Sequence, residues 1–330
     1  MKVNWPIEII GTGASLPKRI ITNAYFADRL ETTDEWIVTR TGIRERRMAE
    51  PSESTLTFAL DAARQALKDA KVEPQELDLI IVATITPEHP LPSTACELQG
   101  ALGCGKTPAY DIVAACSGFV YSLISASQHI VSGTANTVLV VGADLMFRMA
   151  DMEDRSSAII LGDGAAAAVI RRCNEPGRGI QAVHMGSDGT RSDLIYVPAG
   201  GSTEPTSLRT VNERLQYMRM RGREVYKFAV THMQDMLLST LNDAGVTMDQ
   251  LKLFVPHQSN MRIIESACEK LGIPENKVIV NIHKYGNTSA ASVPIALHEA
   301  RTQGRFAKGD YVLMGALGAG LTWGSILLKA

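Results

Sequence analysis

The sequence predicts an α/β fold made of two duplicated βαβ-type halves. Short apolar runs typical of buried strands alternate with longer segments of helical periodicity, a pattern typical of βαβ units with largely parallel strands. Such segments form a weak internal repeat along the 330 residues. A Pro- and Gly-containing stretch at 174–179 interrupts the pattern between the two occurrences. We therefore predict an N-terminal half at 1–175 and a C-terminal half at 176–330.

Each half contains three strand-like runs with helical segments between or beside them. The first half begins with a strand-like run that enters Gly11-Thr12-Gly13, and its further strands and helices are predicted at 55–70 (helix), 78–84, 110–114, 117–131 (helix) and 137–142. The second half is predicted to contain elements at 224–244 (helix), 251–255, 262–271 (helix), 277–282 and 311–315. Between them, the polar segment 186–209 is predicted to be a surface excursion and not a third domain.

Composition excludes several classes of protein. The chain is 45% hydrophobic and 21% charged, with a net charge of −2, so no general attraction to nucleic acid or to a membrane is expected. No apolar run approaches the roughly 18 residues of a membrane helix, and the N-terminus does not read as a signal peptide. The five cysteines form no C-x-x-C pair and no zinc-like cluster, which indicates a reduced, cytoplasmic protein without a metal site.

Cys116 lies where an apolar strand pattern turns into a helix pattern, within Ala114-Ala115-Cys116-Ser117-Gly118. A helix N-terminus carries partial positive charge, worth roughly 0.3–1 kcal/mol and at most about 2 kcal/mol. We therefore expect the thiol pKa to fall by about one unit, which favours a nucleophilic thiolate. The structural alternative is a cysteine that packs as a small apolar side chain, and this segment alone leaves both open.

Two further segments place a polar side chain just after a predicted strand, where ligands bind in open α/β sheets. Pro256-His257-Gln258 supplies an imidazole, and Tyr285-Gly286-Asn287 supplies a carboxamide. A Cys–His–Asn set is compatible with a papain-like hydrolase or with a condensing enzyme. The cysteine lacks the hydrolase signature, which favours the condensing enzyme.

In this order and spacing, the motifs resemble those of the β-ketoacyl-acyl-carrier-protein synthase III family over essentially the whole chain. The matching stretches are Gly11-Thr12-Gly13, 34–46, 114–119, 162–165, 256–258, 285–289 and 322–325. The resemblance implies a thiolase-like five-layer fold, with two sheets around central helices. It also implies a cytoplasmic homodimer that initiates fatty-acid synthesis and holds no tightly bound cofactor.

The resemblance further implies the chemistry of the site. Cys116 would accept an acyl group from acyl-coenzyme A, and His257 and Asn287 would drive decarboxylation of malonyl-acyl carrier protein. The backbone N–H groups of Cys116 and of Ala319, in the loop 315–320, would bind the oxyanion. Ala319 departs from the commonest family form, in which a third Gly often stands there.

The remaining predicted site residues also come from the resemblance. Trp36 and Arg40 share one helix face, since they are four residues apart, and would flank the coenzyme A adenine and phosphates. Four more residues would complete the coenzyme A site: Thr32, Arg155, Gly222 and Asn260. A basic run that includes Arg214 and Arg219 would dock the acidic carrier protein, and its docking residues would be Arg221, Arg223, Lys227 and, from a distant segment, Arg262. Leu91, at the tip of a loop that crosses to the partner subunit, would gate primer length.

Three alternatives to this function follow from the same residues. A same-fold acyltransferase or condensing enzyme of secondary metabolism would keep Cys116 but often change the His/Asn pair, which is intact here. A cysteine hydrolase would release free acid. A non-catalytic carrier-binding module is the least favoured, because all three reactive groups are present.

Overall fold

The structure is a computed structural model that describes residues 1–330. It contains fourteen β-strands: β1 (Lys2–Trp5), β2 (Ile7–Ser15), β3 (Arg19–Thr22), β4 (Glu45–Met48), β5 (Leu79–Ala83), β6 (Ala109–Ile112), β7 (Thr137–Leu145), β8 (Asp163–Arg172), β9 (Gly179–Ser187), β10 (Ile195–Tyr196), β11 (Arg219–Met220), β12 (Leu251–Pro256), β13 (Tyr311–Gly318) and β14 (Thr322–Lys329).

Eleven α-helices connect these strands. They are α1 (Asn23–Ala27), α2 (Asp34–Thr41), α3 (Thr55–Ala70), α4 (Thr94–Leu102), α5 (Gly118–Ser132), α6 (Arg155–Ala158), α7 (Leu208–Asn212), α8 (Gly222–Ala244), α9 (Met261–Leu271), α10 (Ile282–Tyr285) and α11 (Ser292–Thr302). The helix predicted at 55–70 is found with those bounds, and its N-terminus is capped by the Ser54 hydroxyl, which accepts from the Thr57 N–H.

Two five-stranded sheets form the body of the molecule. The first has the strand order β2-β8-β7-β5-β6, and the second has the order β1-β9-β14-β13-β12. The expectation of largely parallel strands is wrong. β2, β8 and β7 pair antiparallel and β7, β5 and β6 pair parallel, while in the second sheet only β12 and β13 are parallel.

The sheets confirm the predicted duplication. The strands β2, β8, β7 and β5 of the first sheet correspond in order to β9, β14, β13 and β12 of the second. In both sets the successive pairs are antiparallel, antiparallel and parallel. The fifth strand of the first sheet, β6, corresponds to one parallel bridge between Phe254 and Val278 in the second. The strand predicted at 277–282 is therefore reduced to that bridge, and from Ile282 the chain forms α10 instead.

The helices complete a five-layer arrangement, as predicted. α5 and α11 contact strands of both sheets, α3 and α4 cover the outer face of the first sheet, and α8 and α9 cover that of the second. A cluster of 28 buried side chains fills the space around the central helices, including Phe119 and Leu123 of α5 and Val293 and Leu297 of α11. This apolar packing fixes the N-terminal ends of both central helices, near which the candidate site lies.

The chain passes from the first sheet to the second between β8, which ends at Arg172, and β9, which begins at Gly179. β1 is the exception to the division, because Lys2–Trp5 pairs with β9 in the second sheet although it comes first in the chain. No helix is both long and apolar enough to cross a membrane.

Candidate active site

Cys116 lies in a sharp turn between β6 and α5. The turn starts at Ala115, whose φ of 46° is left-handed, continues as one 3₁₀ turn over Ala115–Ser117, and enters α5 at Gly118. A Cβ on Gly118 would lie 3.0 Å from Cβ of Ala83, so a larger residue there would push the turn off the sheet. The strained turn therefore presents the thiol at the start of a buried helix.

His257 directly follows β12 and is held by its backbone and by its neighbour. Its N–H donates to the Gly315 carbonyl at 2.8 Å. The buried Gln258 side chain donates to the carbonyls of Pro256 and Ile279 at 2.9 and 3.1 Å. Burial lowers the pKa of His257 to about 3, so the imidazole is neutral near pH 7. A neutral imidazole can donate one hydrogen bond without adding charge to the site.

Asn287 is clamped on both sides of its backbone. Its N–H donates to Ile160 O at 2.7 Å, and its carbonyl accepts from the Gly162 N–H at 2.9 Å. Gly162 cannot be larger, since a Cβ there would lie 2.0 Å from the Tyr285 carbonyl oxygen. The side-chain Oδ1 accepts from the Ser289 N–H at 2.9 Å. The carboxamide is therefore oriented with its acceptor engaged and its NH₂ group available.

One cavity brings these groups together. Its walls contain Cys116, His257 and Asn287, together with Ala319 and the predicted coenzyme A residues Gly222 and Asn260. The segment predicted as a surface excursion also reaches this cavity, through Ile195 of β10. The remaining walls are mostly apolar: Ile160, Met220, Val225, Phe228, Ala229, Ile263, Leu317 and Leu321.

The expectation of a lowered thiol pKa is wrong for this structure. Burial raises the pKa of Cys116 to about 12, and the nearby Asp144 carboxylate adds to the rise. Hydrogen bonds from Ser289 and Asn287 and a backbone N–H oppose it. A helix terminus, worth at most about 2 kcal/mol, is too weak to offset this desolvation.

A second cluster lies around Trp36 on α2. The guanidinium carbons of Arg40 and Arg155 lie 4.8 and 4.7 Å from the Trp36 ring centroid. Asn260 joins this helix to the cavity, because its Nδ2 donates to the Arg40 carbonyl at 3.1 Å. Thr32 is close by in sequence, and its Oγ1 is buried without a hydrogen-bond partner. The structure thus places an aromatic ring and two cations near one end of the cavity.

Comparisons with known proteins identify the family of the chain. Residues 110–189 match the family 3-oxoacyl-[acyl-carrier-protein] synthase III, and residues 241–330 match its C-terminal domain. A β-ketoacyl-[acyl-carrier-protein] synthase III of Symbiobacterium thermophilum is 45% identical over 329 residues, which is 100% of this chain and 99% of that relative. The chain belongs to the β-ketoacyl-[acyl-carrier-protein] synthase III family. It is therefore a condensing acyltransferase.

Solved structures of synthase III relatives share the fold. The 3-oxoacyl-[acyl-carrier-protein] synthase III of Aquifex aeolicus superposes with a TM-score of 0.91 at 46% identity, covering 98% of this chain and 100% of that one. A priming β-ketosynthase from a polyketide biosynthetic pathway has a TM-score of 0.89 at 35% identity, covering 100% and 98%. The thiolase-like fold of this synthase III is confirmed.

The basic run of this synthase III divides into two parts. Arg214 and Arg219 are half-buried and both pair with the buried carboxylate of Asp151, so their charges are already compensated. Arg221 is exposed and pairs with Asp193 at 3.0 Å. The other predicted docking residues, Arg223, Lys227 and Arg262, are exposed, and the Arg262 guanidinium lies 5.5 Å from the Tyr226 ring centroid beside the cavity.

Leu91 is 87% exposed in this chain, at the tip of a segment without regular structure. Val113, three residues before Cys116, is 78% exposed, and the adjacent strand β6 is a sheet edge. Both side chains and the edge of β6 are therefore open to solvent in the single chain.

Motif reasoning missed several residues that hold the site. Asp144, at 0% exposure, accepts from the Ala290 N–H at 3.0 Å and so supports the turn after Asn287. Arg46 is a fully buried cation that donates to the Ile159 carbonyl, next to the segment that clamps Asn287. Asp163, in the motif at 162–165, accepts from the distant N–H groups of Ala49 and Phe147. The sequence signal for all three is weak, since each partner is far away along the chain.

No group of three or more His, Cys, Asp or Glu side chains is placed to hold a metal ion.

Proposed function

We propose that this synthase condenses an acyl-coenzyme A primer with malonyl-acyl carrier protein and thereby initiates fatty-acid synthesis. The observation that carries the proposal is the meeting of Cys116, His257 and Asn287, from three separate elements, in one largely apolar cavity. The products would be a β-ketoacyl carrier protein, carbon dioxide and free coenzyme A.

The first half-reaction loads the enzyme. The Cys116 sulfur attacks the thioester carbonyl of the primer, a bond forms between sulfur and the acyl carbon, and the bond to the coenzyme A sulfur breaks. The proton of the Cys116 thiol leaves with coenzyme A. The tetrahedral oxyanion would accept from the backbone N–H groups of Cys116 and Ala319, both at the cavity wall.

The second half-reaction forms the carbon–carbon bond. The neutral His257 ring and the Asn287 NH₂ group would donate to the malonyl thioester carbonyl, on which negative charge builds as carbon dioxide leaves. The resulting carbanion attacks the acyl carbon on Cys116, the bond from that carbon to sulfur breaks, and the Cys116 thiolate takes up a proton from solvent to restore the thiol. Donors that bear no charge suit this step, because they stabilise the developing enolate without needing a buried counterion.

Coenzyme A would enter from the end of the cavity marked by Trp36. The adenine would stack between the Trp36 indole and the Arg155 guanidinium, with Arg40 contacting the phosphates and Thr32 contributing its unpartnered hydroxyl. Gly222 and Asn260 would contact the pantetheine arm. The acidic carrier protein would dock on Arg221, Arg223, Lys227 and Arg262, which surround the same entrance.

We further propose a homodimer in the cytoplasm that needs no tightly bound cofactor. The exposed Leu91 and Val113 and the unpaired edge of β6 support a second copy as the partner. All five cysteines are free thiols, which suits a reducing compartment. Within the dimer, Leu91 would reach the end of the partner's acyl pocket.

The hydrolase and secondary-metabolite alternatives receive less support. The cavity presents His257 as a weakly basic, buried ring, whereas a papain-like enzyme needs an imidazole that accepts the thiol proton. The synthase III relative cited above is 45% identical, and the polyketide ketosynthase is 35% identical, which favours fatty-acid initiation.

The test is an assay of the purified enzyme with a panel of acyl-coenzyme A primers and malonyl-acyl carrier protein, with product masses read directly. We expect one acyl group on the Cys116 peptide when the primer is added alone, and a β-ketoacyl carrier protein when both substrates are present. Cys116→Ala should abolish both. Acyl loading that persists in that variant, or release of free acid without condensation, would contradict the proposal.

A further inference from the structure

Ser289 lies directly against the catalytic sulfur. The Cys116 thiol donates to Oγ of Ser289, with 3.8 Å between the two atoms. Ser289 is 0% exposed, and its φ of 49° is left-handed, a conformation that non-glycine residues rarely adopt. Such backbone strain costs on the order of 1–3 kcal/mol and persists only where the surrounding structure imposes it. The fold therefore holds this hydroxyl at the sulfur despite a local cost.

The duplication explains how Ser289 reaches this position. Ala115, with φ of 46°, and Ser289, with φ of 49°, each begin a 3₁₀ turn that leads into a central helix, α5 or α11. The two turns pack together, since a Cβ on Gly118 would lie 3.4 Å from Cβ of Ala290. The C-terminal turn thus presents a hydroxyl to Cys116 at the position where the N-terminal turn has a methyl group.

Asp144 holds the Ser289 turn from behind. One carboxylate oxygen accepts from the Ala290 N–H at 3.0 Å, and the other accepts from Ile85 N–H at 2.8 Å and from the Thr84 hydroxyl at 3.0 Å. Burial raises the pKa of Asp144, and these donors, together with the Ser289 side chain, oppose the rise. In the resting enzyme the Ser289 hydroxyl can therefore accept from the thiol while its own proton faces the carboxylate.

The charges around the thiol make a neutral donor necessary. The negative charge that acts on Cys116 is that of Asp144 on β7, and it disfavours a thiolate. His257, after β12, is neutral and supplies no compensating positive charge. Ser289 and Asn287, in the turn before α11, are uncharged. A thiolate at this position must consequently be stabilised by hydrogen bonds, and the Ser289 hydroxyl is a side-chain donor that the sulfur already contacts.

We propose that Ser289 is a further catalytic residue, whose hydroxyl stabilises the Cys116 thiolate during acyl transfer. When the thiol loses its proton, the Ser289 O–H turns from the Asp144 carboxylate and donates to the sulfur anion. The thiol proton departs with the coenzyme A sulfur, so no proton remains on Ser289. This inference rests on the proposed role of Cys116 as acyl acceptor.

The test measures the reactivity of the thiol without any substrate. Wild type, Ser289→Ala and Ser289→Gly are treated with iodoacetamide from pH 6.5 to 9, and alkylation of the Cys116 peptide is followed by mass spectrometry. A hydrogen bond to a charged group contributes about 1.5–3 kcal/mol, which corresponds to a thiol pKa higher by about one to two units. Both variants should therefore react roughly 10–100-fold more slowly at every pH below the thiol pKa. Glycine suits the left-handed backbone, so slow reaction in Ser289→Gly cannot be attributed to strain.

Ser127→Ala is the matched control, because Ser127 is a buried serine of α5 whose hydroxyl donates only to its own helix, at Leu123 O. It should react with iodoacetamide at the wild-type rate.

A second measurement separates an effect on catalysis from an effect on packing. Acyl loading from acyl-coenzyme A should fall in parallel with alkylation, whereas malonyl decarboxylation should change little, since the Ser289 N–H still orients Asn287 in both variants.

Alkylation of Ser289→Ala and Ser289→Gly at the wild-type rate would overturn the inference. A loss of decarboxylation as large as the loss of alkylation would overturn it too, because it would indicate a displaced turn. If the proposed function itself is wrong, wild type will not accept an acyl group from acyl-coenzyme A. The alkylation rates of the variants will still show whether Ser289 stabilises the Cys116 thiolate.

Discussion

The backbone N–H of Ser289 donates to Oδ1 of Asn287 at 2.9 Å, so one residue orients the carboxamide while its hydroxyl contacts the catalytic sulfur. The acceptor end of the Asn287 side chain is thereby occupied, and its NH₂ end is left for the substrate carbonyl. His257 reaches the same cavity as a neutral ring. Both groups can therefore donate to a substrate carbonyl without adding charge to the cavity, which is the basis for assigning them to decarboxylation in the proposed function.

We expect His257→Ala and Asn287→Ala to load Cys116 from acyl-coenzyme A but to lose condensation. Removing one preorganised donor typically lowers kcat by roughly 10²–10³-fold. Loading is measured by intact mass, and condensation by release of carbon dioxide from malonyl-acyl carrier protein. A variant that condenses at close to the parent rate would show that the removed group does not serve the enolate.

Trp36→Ala should raise the KM for acyl-coenzyme A about tenfold or more, since stacking of a base on an aromatic side chain contributes roughly 1–3 kcal/mol. The KM for malonyl-acyl carrier protein should stay constant, which initial-rate kinetics with each substrate in turn can establish. Arg44→Ala, an exposed change close to the same helix, serves as the control. An unchanged KM for acyl-coenzyme A would place the adenine elsewhere.

Arg223→Glu combined with Lys227→Glu should raise the KM for malonyl-acyl carrier protein and flatten its dependence on salt, because long-range attraction to an acidic partner is screened by ions. Adding Arg221→Glu should have a smaller further effect, since Asp193 already pairs with Arg221. Arg64→Glu, on the exposed side of α3, is the control for a general change in charge. Equal damage to the kinetics of both substrates would argue against a docking site.

Leu91→Phe should shift primer preference towards shorter chains, provided that the tip of this loop closes the partner's acyl pocket. One methylene in an apolar pocket is worth about 1–3 kcal/mol, so relative kcat/KM between neighbouring primers should change by roughly 10–200-fold. The measurement is a competition assay with acyl-coenzyme A of graded length, on protein whose dimeric state is verified by light scattering. An unchanged primer profile in a folded dimer would remove Leu91 from the pocket.

Elements with strong local signals could be predicted from the sequence. The helix at 55–70 was predictable because an N-cap serine, Ser54, directly precedes it and a regular apolar stripe runs along it. The turn at Cys116 was predictable because strand and helix periodicities meet there. The antiparallel strands β8, β9 and β14 were not assigned, since an alanine-rich stretch such as 165–168 carries no periodicity that separates strand from helix.

The sequence by itself determined the two-fold repetition of elements, the order of the motifs and the choice of Cys116, His257 and Asn287 as candidate reactive side chains, because these depend on residues that are close together along the chain. Only the tertiary structure decided that Arg214 and Arg219 turn inwards to Asp151, that residues 277–282 contribute a single bridge, and that Cys116 is a thiol with a raised pKa. It also decided that Ser289 contacts the sulfur, 173 residues away along the chain. The physical reason is that burial and long-range contacts arise from packing of distant segments, and desolvation of a buried group exceeds the local effect of a helix terminus.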